Sequence, residues 1–230
     1  MRYFLLGFDP AQIRDFAGLS AVEVTSDKGG LIFRLHGMER RQRLSYPDLV
    51  SWVTSALKIP ELNRDTTSSP ELVLDATGVG VAVKDLLLKT GVKPIAVTTT
   101  PGNTVTKIDG SNFHVGKAVL VGKFLAAFDA GRFQVNPNLP IYPQFERELL
   151  AFKAEISARG NAVFEAVEGE HDDLISACYL CVWWAEARPK PQHFSFYVLR
   201  PDQKIRPAYR IPGESIPTKT MAGSHTRFPY

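Results

Sequence analysis

The sequence has only two cysteines, Cys178 and Cys181, and they stand three positions apart in the apolar stretch CYLC. A single Cys-x-x-Cys pair with no second pair and no turn residues is a poor zinc or redox motif. We therefore predict two buried core thiols, which suits a reducing cytosol.

No apolar run approaches the roughly 18 residues that span a membrane, and the stretch MRYFLLGF lacks the cleavage site of a signal peptide.

The sequence also lacks a phosphate-binding loop. The nearest stretch, GSNFHVGKA from Gly110 to Ala118, has five residues between its glycines and an alanine after the lysine. The motif that binds nucleotide phosphates has four residues between its glycines, and a serine or threonine follows its lysine. We therefore expect no nucleotide-driven motor within this stretch of chain.

Charge is distributed unevenly along the 230 residues. The last segment, 188–230, holds eight Lys or Arg against two Asp or Glu, whereas residues 1–187 carry a net charge of −3. Repeated prolines interrupt any regular element in the basic segment. We therefore predict one folded domain over residues 1–187 and an extended or disordered, Pro-rich basic tail over residues 188–230.

Hydrophobic periodicity predicts an α/β domain. Three strands come first, and strands then alternate with helices, which favours a mixed central sheet of five or more strands with helices on both faces. A Ser-x-x-Asp helix start is predicted at Ser45, a mobile loop over Thr99–Gly116 and a hairpin within 153–167. The predicted strands are 3–8, 19–24, 31–44, 71–74 and 94–98, and the predicted helices are 45–57, 81–89, 117–129, 145–152 and 174–187.

Three separate stretches put a carboxylate at the edge of a buried element. Asp9 ends the first strand, Asp75 ends the fourth, and Asp172 and Asp173 open the last helix. Each residue alone could be an ordinary turn or capping residue. Together they suggest clustered carboxylates, whose mutual repulsion divalent cations relieve. A pair of oxygen-bound cations is suited to attack on a phosphodiester.

The stretches LLGFDPAQIRDFAGLSAVEV, LVLDATGVGVAVKDLL and GEHDDLISACYLCVWW resemble the nuclease domain of tailed-phage large terminases. The resemblance runs from about residue 3 to residue 187 and includes GKAVLVGKFLAAFDAGRFQV between the motifs. It implies an RNase H-like fold and a DNA endonuclease that cuts concatemeric viral DNA with little sequence specificity. It also implies two Mg²⁺ or Mn²⁺ ions as cofactors.

The resemblance assigns roles to individual residues. Asp9 and Asp75 match the carboxylates of the first and fourth strands, and Asp172 and Asp173 match the acidic pair of the last helix. All four would hold metal, with Asp9, Asp75 and Asp173 as the catalytic set and Asp173 as the more direct ligand of its pair.

Two further residues are expected beside that site. Asp15 matches a second acidic position of the first motif, although a turn residue is an equal alternative. His171 could orient a carboxylate or a water, although a solvated histidine at a helix start is the simpler interpretation.

DNA contacts are less clearly specified. Lys107, His114 and Lys117 lie between the fifth predicted strand and the next helix, where they could reach phosphates. Four arginines line the third predicted strand, where a charged, solvated edge is the simpler interpretation. They are Arg34, Arg40, Arg41 and Arg43.

The resemblance also implies partners and a location. We expect double-stranded DNA, a packaging ATPase domain or subunit, the portal and the small terminase as partners, with no membrane. The protein would act in the cytoplasm of the infected bacterial host and transiently at the procapsid portal. Because the resemblance starts at the first residues, we expect an isolated nuclease domain, a piece of a larger protein or a split protein.

Two other functions remain open on the sequence. One is a Holliday-junction-type resolvase of the same fold, which would prefer branched DNA. The other is a non-catalytic docking module that binds a portal or an ATPase partner through its tail.

Overall fold

A computed structural model of the chain describes residues 1–11, 15–27, 29–64, 66, 68–156, 162–166 and 173–188. The chain divides into two units, Met1–Pro189 and Lys190–Tyr230. The second unit lies outside the described residues, so the tail over 188–230 stays a prediction.

An eight-stranded mixed sheet forms the centre of the first unit. Its strand order is β6-β7-β5-β4-β1-β2-β3-β8. The first three strands form an antiparallel meander, and β1, β4, β5 and β7 run parallel to one another. The strands are β1 Arg2–Asp9, β2 Phe16–Asp27, β3 Gly30–Gln42, β4 Glu71–Asp75, β5 Ile95–Thr100, β6 Val105–Lys107, β7 Asn112–Gly116 and β8 Phe133–Val135. A separate antiparallel ribbon pairs β9 Phe152–Ile156 with β10 Ala162–Ala166.

Helices cover both faces of the sheet. Odd-numbered residues of β1 pack with α3 and α5 in one core, and even-numbered residues pack with α1 and α2 in the other. This follows from the two-residue period of a strand. The helices are α1 Tyr46–Ala56, α2 Val79–Lys89, α3 Lys117–Asp129, α4 Tyr142–Ala151 and α5 Asp173–Ala187, with a short 3-10 turn at Pro60–Leu62.

The predicted fold class is confirmed, and the helix start at Ser45 is confirmed in detail. The Ser45 side chain accepts a hydrogen bond from the Asp48 backbone, and the Asp48 carboxylate accepts one from the Ser45 backbone. The hairpin predicted within 153–167 corresponds to the ribbon of β9 and β10. The chain has the mixed α/β architecture expected of an RNase H-like domain.

The predicted mobile loop over Thr99–Gly116 is wrong, because this stretch contains β6 and β7. Glycine, threonine and asparagine dominate its composition and mask the alternation of Phe113 and Val115, whose side chains are buried. Pairing with β5 on one side and β6 on the other supplies the backbone hydrogen bonds that the local sequence does not predict.

Helix α5 is buried almost all round, from Leu174 to Ala185. An α-helix that is apolar on every side is typical of a protein core. Both cysteines lie on this helix, free and buried, which confirms the predicted core thiols. Burial raises the pKa of Cys181 to about 12. Within the described ranges, no helix has both the length and the apolar character needed to cross a bilayer.

Small residues let α5 lie directly on the backbones of β1 and β2. A Cβ added at Gly7 would stand 1.8 Å from the Ala177 carbonyl oxygen, and one at Gly18 would stand 2.3 Å from the Asp173 carbonyl oxygen. Ser20 Oγ donates a hydrogen bond of 2.9 Å to the same Ala177 oxygen. These contacts fix the position of α5 against the backbones of β1 and β2.

We predict that Gly7→Ala destabilises the protein by about 1–3 kcal/mol, because the added methyl group must displace the α5 backbone. The measurement is urea unfolding followed by circular dichroism. Gly37→Ala on β3 is the matched control, since its added Cβ would lie 3.8 Å from Ala21 Cβ, an ordinary contact. Equal stability of the two variants would contradict the tight contact between α5 and β1.

Candidate active site

Asp9 and Asp75 lie side by side at the carboxyl ends of neighbouring parallel strands. Phe8 pairs with Leu74 in the register of β1 and β4, so the next residue of each strand is the aspartate. By strand alternation, both aspartates are on the sheet face that packs against α5. The two carboxylates therefore emerge at one sheet edge and on one face, as the sequence predicts.

Asp173 reaches the same place from above the sheet. Gly18 pairs directly with Asp9 across β1 and β2. A Cβ added at Gly18 would lie 3.4 Å from Asp173 Cβ. The first residue of α5 thus lies over the strand next to Asp9, and its Oδ2 atom is buried. The structure brings together three of the four carboxylates that the sequence singles out.

Asp75 is the most buried of these acids, with 9% of its surface exposed. Its Oδ1 accepts a hydrogen bond of 2.8 Å from the Thr77 backbone, and its Oδ2 accepts one of 3.0 Å from Thr99 Oγ1. Burial raises the pKa of Asp75, while the hydrogen bonds from Thr77 and Thr99 and the charge of Lys117 oppose the rise. The carboxylate is therefore held in one orientation in a partly dehydrated place.

Lys117 places a positive charge near Asp75. It is the first residue of α3, directly after β7, and its charge lowers the pKa of Asp75. From the sequence, Lys117 is assigned only a weak contact with DNA. The structure instead places Lys117 close enough to Asp75 for its charge to act on that carboxylate.

A buried ion pair lies on the same face, one strand beyond Gly18. Arg40 pairs with Gly18 in the register of β2 and β3, and its Nη1 donates to Glu148 Oε1 at 2.7 Å. The predicted solvated edge is therefore wrong for Arg40, whose side chain is only 13% exposed. The local sequence could not show this, because its partner lies 108 positions away on α4.

The other three arginines keep the exposed character that was predicted for this edge. Arg34 hydrogen bonds to Thr25 and Gln134, and Arg41 pairs with Glu39. Their side chains are 45% and 44% exposed. Arg43 lies just after β3 with a left-handed backbone, φ 63°.

The remaining predicted residues are more scattered. Asp15 is exposed just before β2. Lys107 lies three strands from Asp75 along one row of the sheet, about 14 Å away at the usual strand spacing. His114 is exposed and, by strand alternation, lies on the opposite face from Asp75. Asp172 and His171 lie outside the described residues.

Carboxylate oxygens, which Asp9, Asp75 and Asp173 supply, are the ligand type that hard divalent cations prefer. Among the residues with described side chains, no three His, Cys, Asp or Glu form a ready metal-binding group. Asp9, Asp75 and Asp173 lie at neighbouring positions of the fold but do not themselves form such a group in this structure. Mg²⁺ is commonly bound in this way, through one or two carboxylates together with waters and substrate phosphates.

Sequence reasoning missed Thr99, Glu148 and the role of Gly18. Thr99 and Glu148 act through hydrogen bonds between residues far apart in the chain, and no local pattern marks them. Gly18 does have a signal, since a glycine inside a strand often marks the close approach of another backbone.

Comparisons with known proteins identify the fold. No family model and no curated protein matches the sequence. Among solved structures, the magnesium-bound large terminase nuclease of the thermophilic phage G20c is 18% identical, with a TM-score of 0.57 over 79% of this chain and 81% of that one. The large terminase nuclease domain of Thermus phage P74-26 is 18% identical, with a TM-score of 0.55 over 82% of each chain.

A herpesvirus protein has a similar fold. The human cytomegalovirus terminase nuclease domain, soaked with manganese and bound to an inhibitor, is 14% identical, with a TM-score of 0.50 over 80% of this chain and 82% of that one. The chain therefore has the fold of large-terminase nuclease domains, as the sequence predicts. At this level of identity the likeness establishes the fold.

We predict that Thr99→Val lowers stability by about 1–3 kcal/mol at pH 7 with EDTA present, because a buried carboxylate oxygen loses its donor. The variant raises the pKa of Asp75 further above its ordinary value. The folded state then gains more by taking up a proton, so the deficit shrinks as the pH falls through that raised pKa. Urea unfolding at several pH values measures this.

Thr100→Val is the control for this variant. It lies on the same strand but, by alternation, on the opposite face. A deficit that is equal in both variants, or one that grows on acidification, would contradict the hydrogen bond from Thr99 to Asp75.

Proposed function

We propose that the protein is a metal-dependent DNA endonuclease of a viral genome-packaging terminase, which cuts concatemeric double-stranded DNA with little sequence specificity. The observation that carries this proposal is the meeting of Asp9, Asp75 and Asp173 on one side of the sheet. The fold supports it, since terminase nucleases of the same fold are known with magnesium, cobalt and manganese.

Asp9, Asp75, Asp173 and the neighbouring Asp172 would hold two divalent cations, Mg²⁺ or Mn²⁺. When bound, such ions lower the pKa of a water and neutralise charge on the phosphate and the leaving oxygen. Because this chemistry needs no protein nucleophile, Asp9, Asp75 and Asp173 act as ligands. They are the proposed catalytic residues, and Asp15 and His171 are the proposed supporting residues.

The protein's own contribution is positioning. Thr77 and Thr99 direct both oxygens of Asp75 with hydrogen bonds of 2.8 and 3.0 Å. A carboxylate fixed in this way does not need to reorganise when a cation binds, which is an advantage for catalysis. Lys117, close enough to lower the pKa of Asp75, provides a positive charge for a DNA phosphate. Lys107 and His114 would contact DNA only outside this centre.

The partners follow from the proposed role. A packaging ATPase domain or subunit, the portal and the small terminase would bring this domain to DNA at the procapsid, in the cytoplasm of an infected bacterium. The basic segment over 188–230 would contact DNA or one of these partners through its net charge of +6.

We predict that the protein nicks and linearises supercoiled plasmid with Mn²⁺ or Mg²⁺, and not with EDTA or with Ca²⁺ alone. Asp75→Asn should reduce the rate by more than about 100-fold, since even residues that only support a metal ligand are worth about 10- to 100-fold. Gel analysis of the products measures this. Asp85→Asn, an exposed acid on α2 at the opposite face, is the matched control and should cleave normally.

Two outcomes would favour the other functions. Faster cleavage of a four-way junction than of linear DNA would indicate a resolvase. Absence of cleavage with every cation, while the protein remains folded, would indicate a docking module without catalytic activity.

We predict unequal roles for the acidic pair. The sequence predicts that Asp172 and Asp173 together open the last helix, where adjacent side chains point about 100° apart, so the two acids would not serve one cation equally. Asp173→Asn should abolish cleavage, whereas Asp172→Asn should keep measurable activity with a changed metal preference. Plasmid cleavage in Mg²⁺ and in Mn²⁺ measures both variants. Full activity of Asp173→Asn would overturn the assignment, and complete loss in both variants would mean that each acid holds a different cation.

A further inference from the structure

A buried acid lies next to the start of α5 and belongs to none of the three carboxylate stretches. Glu148 is on α4, and its side chain is completely buried. Its Oε1 accepts hydrogen bonds from Arg40 Nη1 at 2.7 Å and from Gln144 Nε2 at 3.2 Å. Burying an ion pair costs desolvation energy, so it is a poor device for stability alone. Its location suggests another use.

The second oxygen of Glu148 bonds to the backbone of the proposed active-site helix. Oε2 accepts a hydrogen bond of 2.9 Å from the Leu174 backbone N–H, the residue directly after Asp173. The first backbone N–H groups of a helix have no partner within the helix. Glu148 therefore supplies, from α4, an acceptor for the turn of α5 that carries Asp173.

Arg40 ties this acceptor to the sheet. It stands across Gly18 from Asp9 in one row of β3, β2 and β1. Its guanidinium carbon lies 3.7 Å from the centre of the Phe16 ring, at the start of β2. Both the hydrogen bond and the ring contact restrict where the guanidinium can lie. A continuous chain of contacts thus runs from β3 through Arg40 and Glu148 to the residue after Asp173.

We propose that Glu148 is a positioning residue, held by Arg40, that fixes the first turn of α5 so that Asp173 is oriented toward the cation held with Asp9 and Asp75. This inference rests on the proposed function, because it takes Asp173 to be a cation ligand. Two contacts restrict the position of Asp173. Its backbone packs against Gly18, and the N–H of the next residue, Leu174, donates a hydrogen bond to Glu148.

The test compares Glu148→Gln with Glu186→Gln. Glu186 lies on α5 at the end away from Asp173, where it pairs with Lys123 and Arg132, so the control makes the same Glu→Gln change at a contact of α5 far from the site. Mn²⁺ affinity is measured from the paramagnetic resonance signal of free Mn²⁺, and melting temperature is measured without metal. We expect Glu148→Gln to weaken Mn²⁺ binding by about 10- to 100-fold, in the range of residues that support a metal ligand. The control should bind like the wild type.

A double variant separates positioning from stability. Arg40→Met with Glu148→Met removes both charges, leaves the net charge unchanged and replaces the buried pair with apolar side chains, which often restores stability. Its Leu174 N–H has no carboxylate acceptor. We expect its melting temperature to approach that of the wild type while its Mn²⁺ affinity stays low. If Glu148→Gln fails to fold, this double variant carries the same test.

The outcomes distinguish the two proposals. Wild-type Mn²⁺ binding that Asp75→Asn abolishes, together with normal binding by the double variant or by Glu148→Gln, would overturn the positioning role and leave the proposed function intact. Equal weakening by Glu186→Gln would also overturn it, because a general disturbance of α5 would then suffice. A wild-type protein that neither binds Mn²⁺ nor cleaves DNA would overturn both.

Discussion

The close contact of α5 with the backbones of β1 and β2 is the constraint on which the rest of the structure depends. The helix can approach this closely only because Gly7 and Gly18 have no side chains, and Ser20, the strand partner of Gly7, donates a hydrogen bond to the Ala177 carbonyl oxygen of the helix. That approach buries an apolar helix on every side and supplies much of the core. It also places Asp173 over Gly18, the strand partner of Asp9, so the contact that stabilises the fold brings these two acids to the same region.

Electrostatics supports the proposal that a cation binds among these carboxylates. Burial raises the pKa of Asp75, because the charged form of its carboxyl group loses hydration there. Hydrogen bonds and Lys117 compensate only in part. The positive charge of Arg40 is paired with Glu148. Burial raises the pKa of Glu148, and hydrogen bonds from Gln144, Leu174 and Arg40 oppose that rise. A divalent ion on the carboxylates would supply the missing positive charge and gain tight binding in return.

The sequence predicts the parts of this account that depend on local patterns. Asp9 and Asp75 end apolar strands, and the ends of parallel neighbours meet at one edge, so their proximity was predictable. The pairing of β7 and the ion pair of Arg40 were not, because tertiary contacts between distant segments decide them. The Gly-, Thr- and Asn-rich composition predicted a loop over Thr99–Gly116, where the structure has β6 and β7. The arginines of the third strand were predicted to be solvated, but the side chain of Arg40 is largely buried.

We propose that the carboxylates of β1, β4 and α5 together hold divalent cations. The most direct test is a crystal grown with Mn²⁺ and measured at a wavelength where manganese scatters anomalously. The account predicts an anomalous peak in contact with carboxylate oxygens of Asp9 and Asp75 and on the side of the sheet where α5 begins. Well-ordered carboxylates with no peak at millimolar Mn²⁺, or a peak only at other acids, would contradict it.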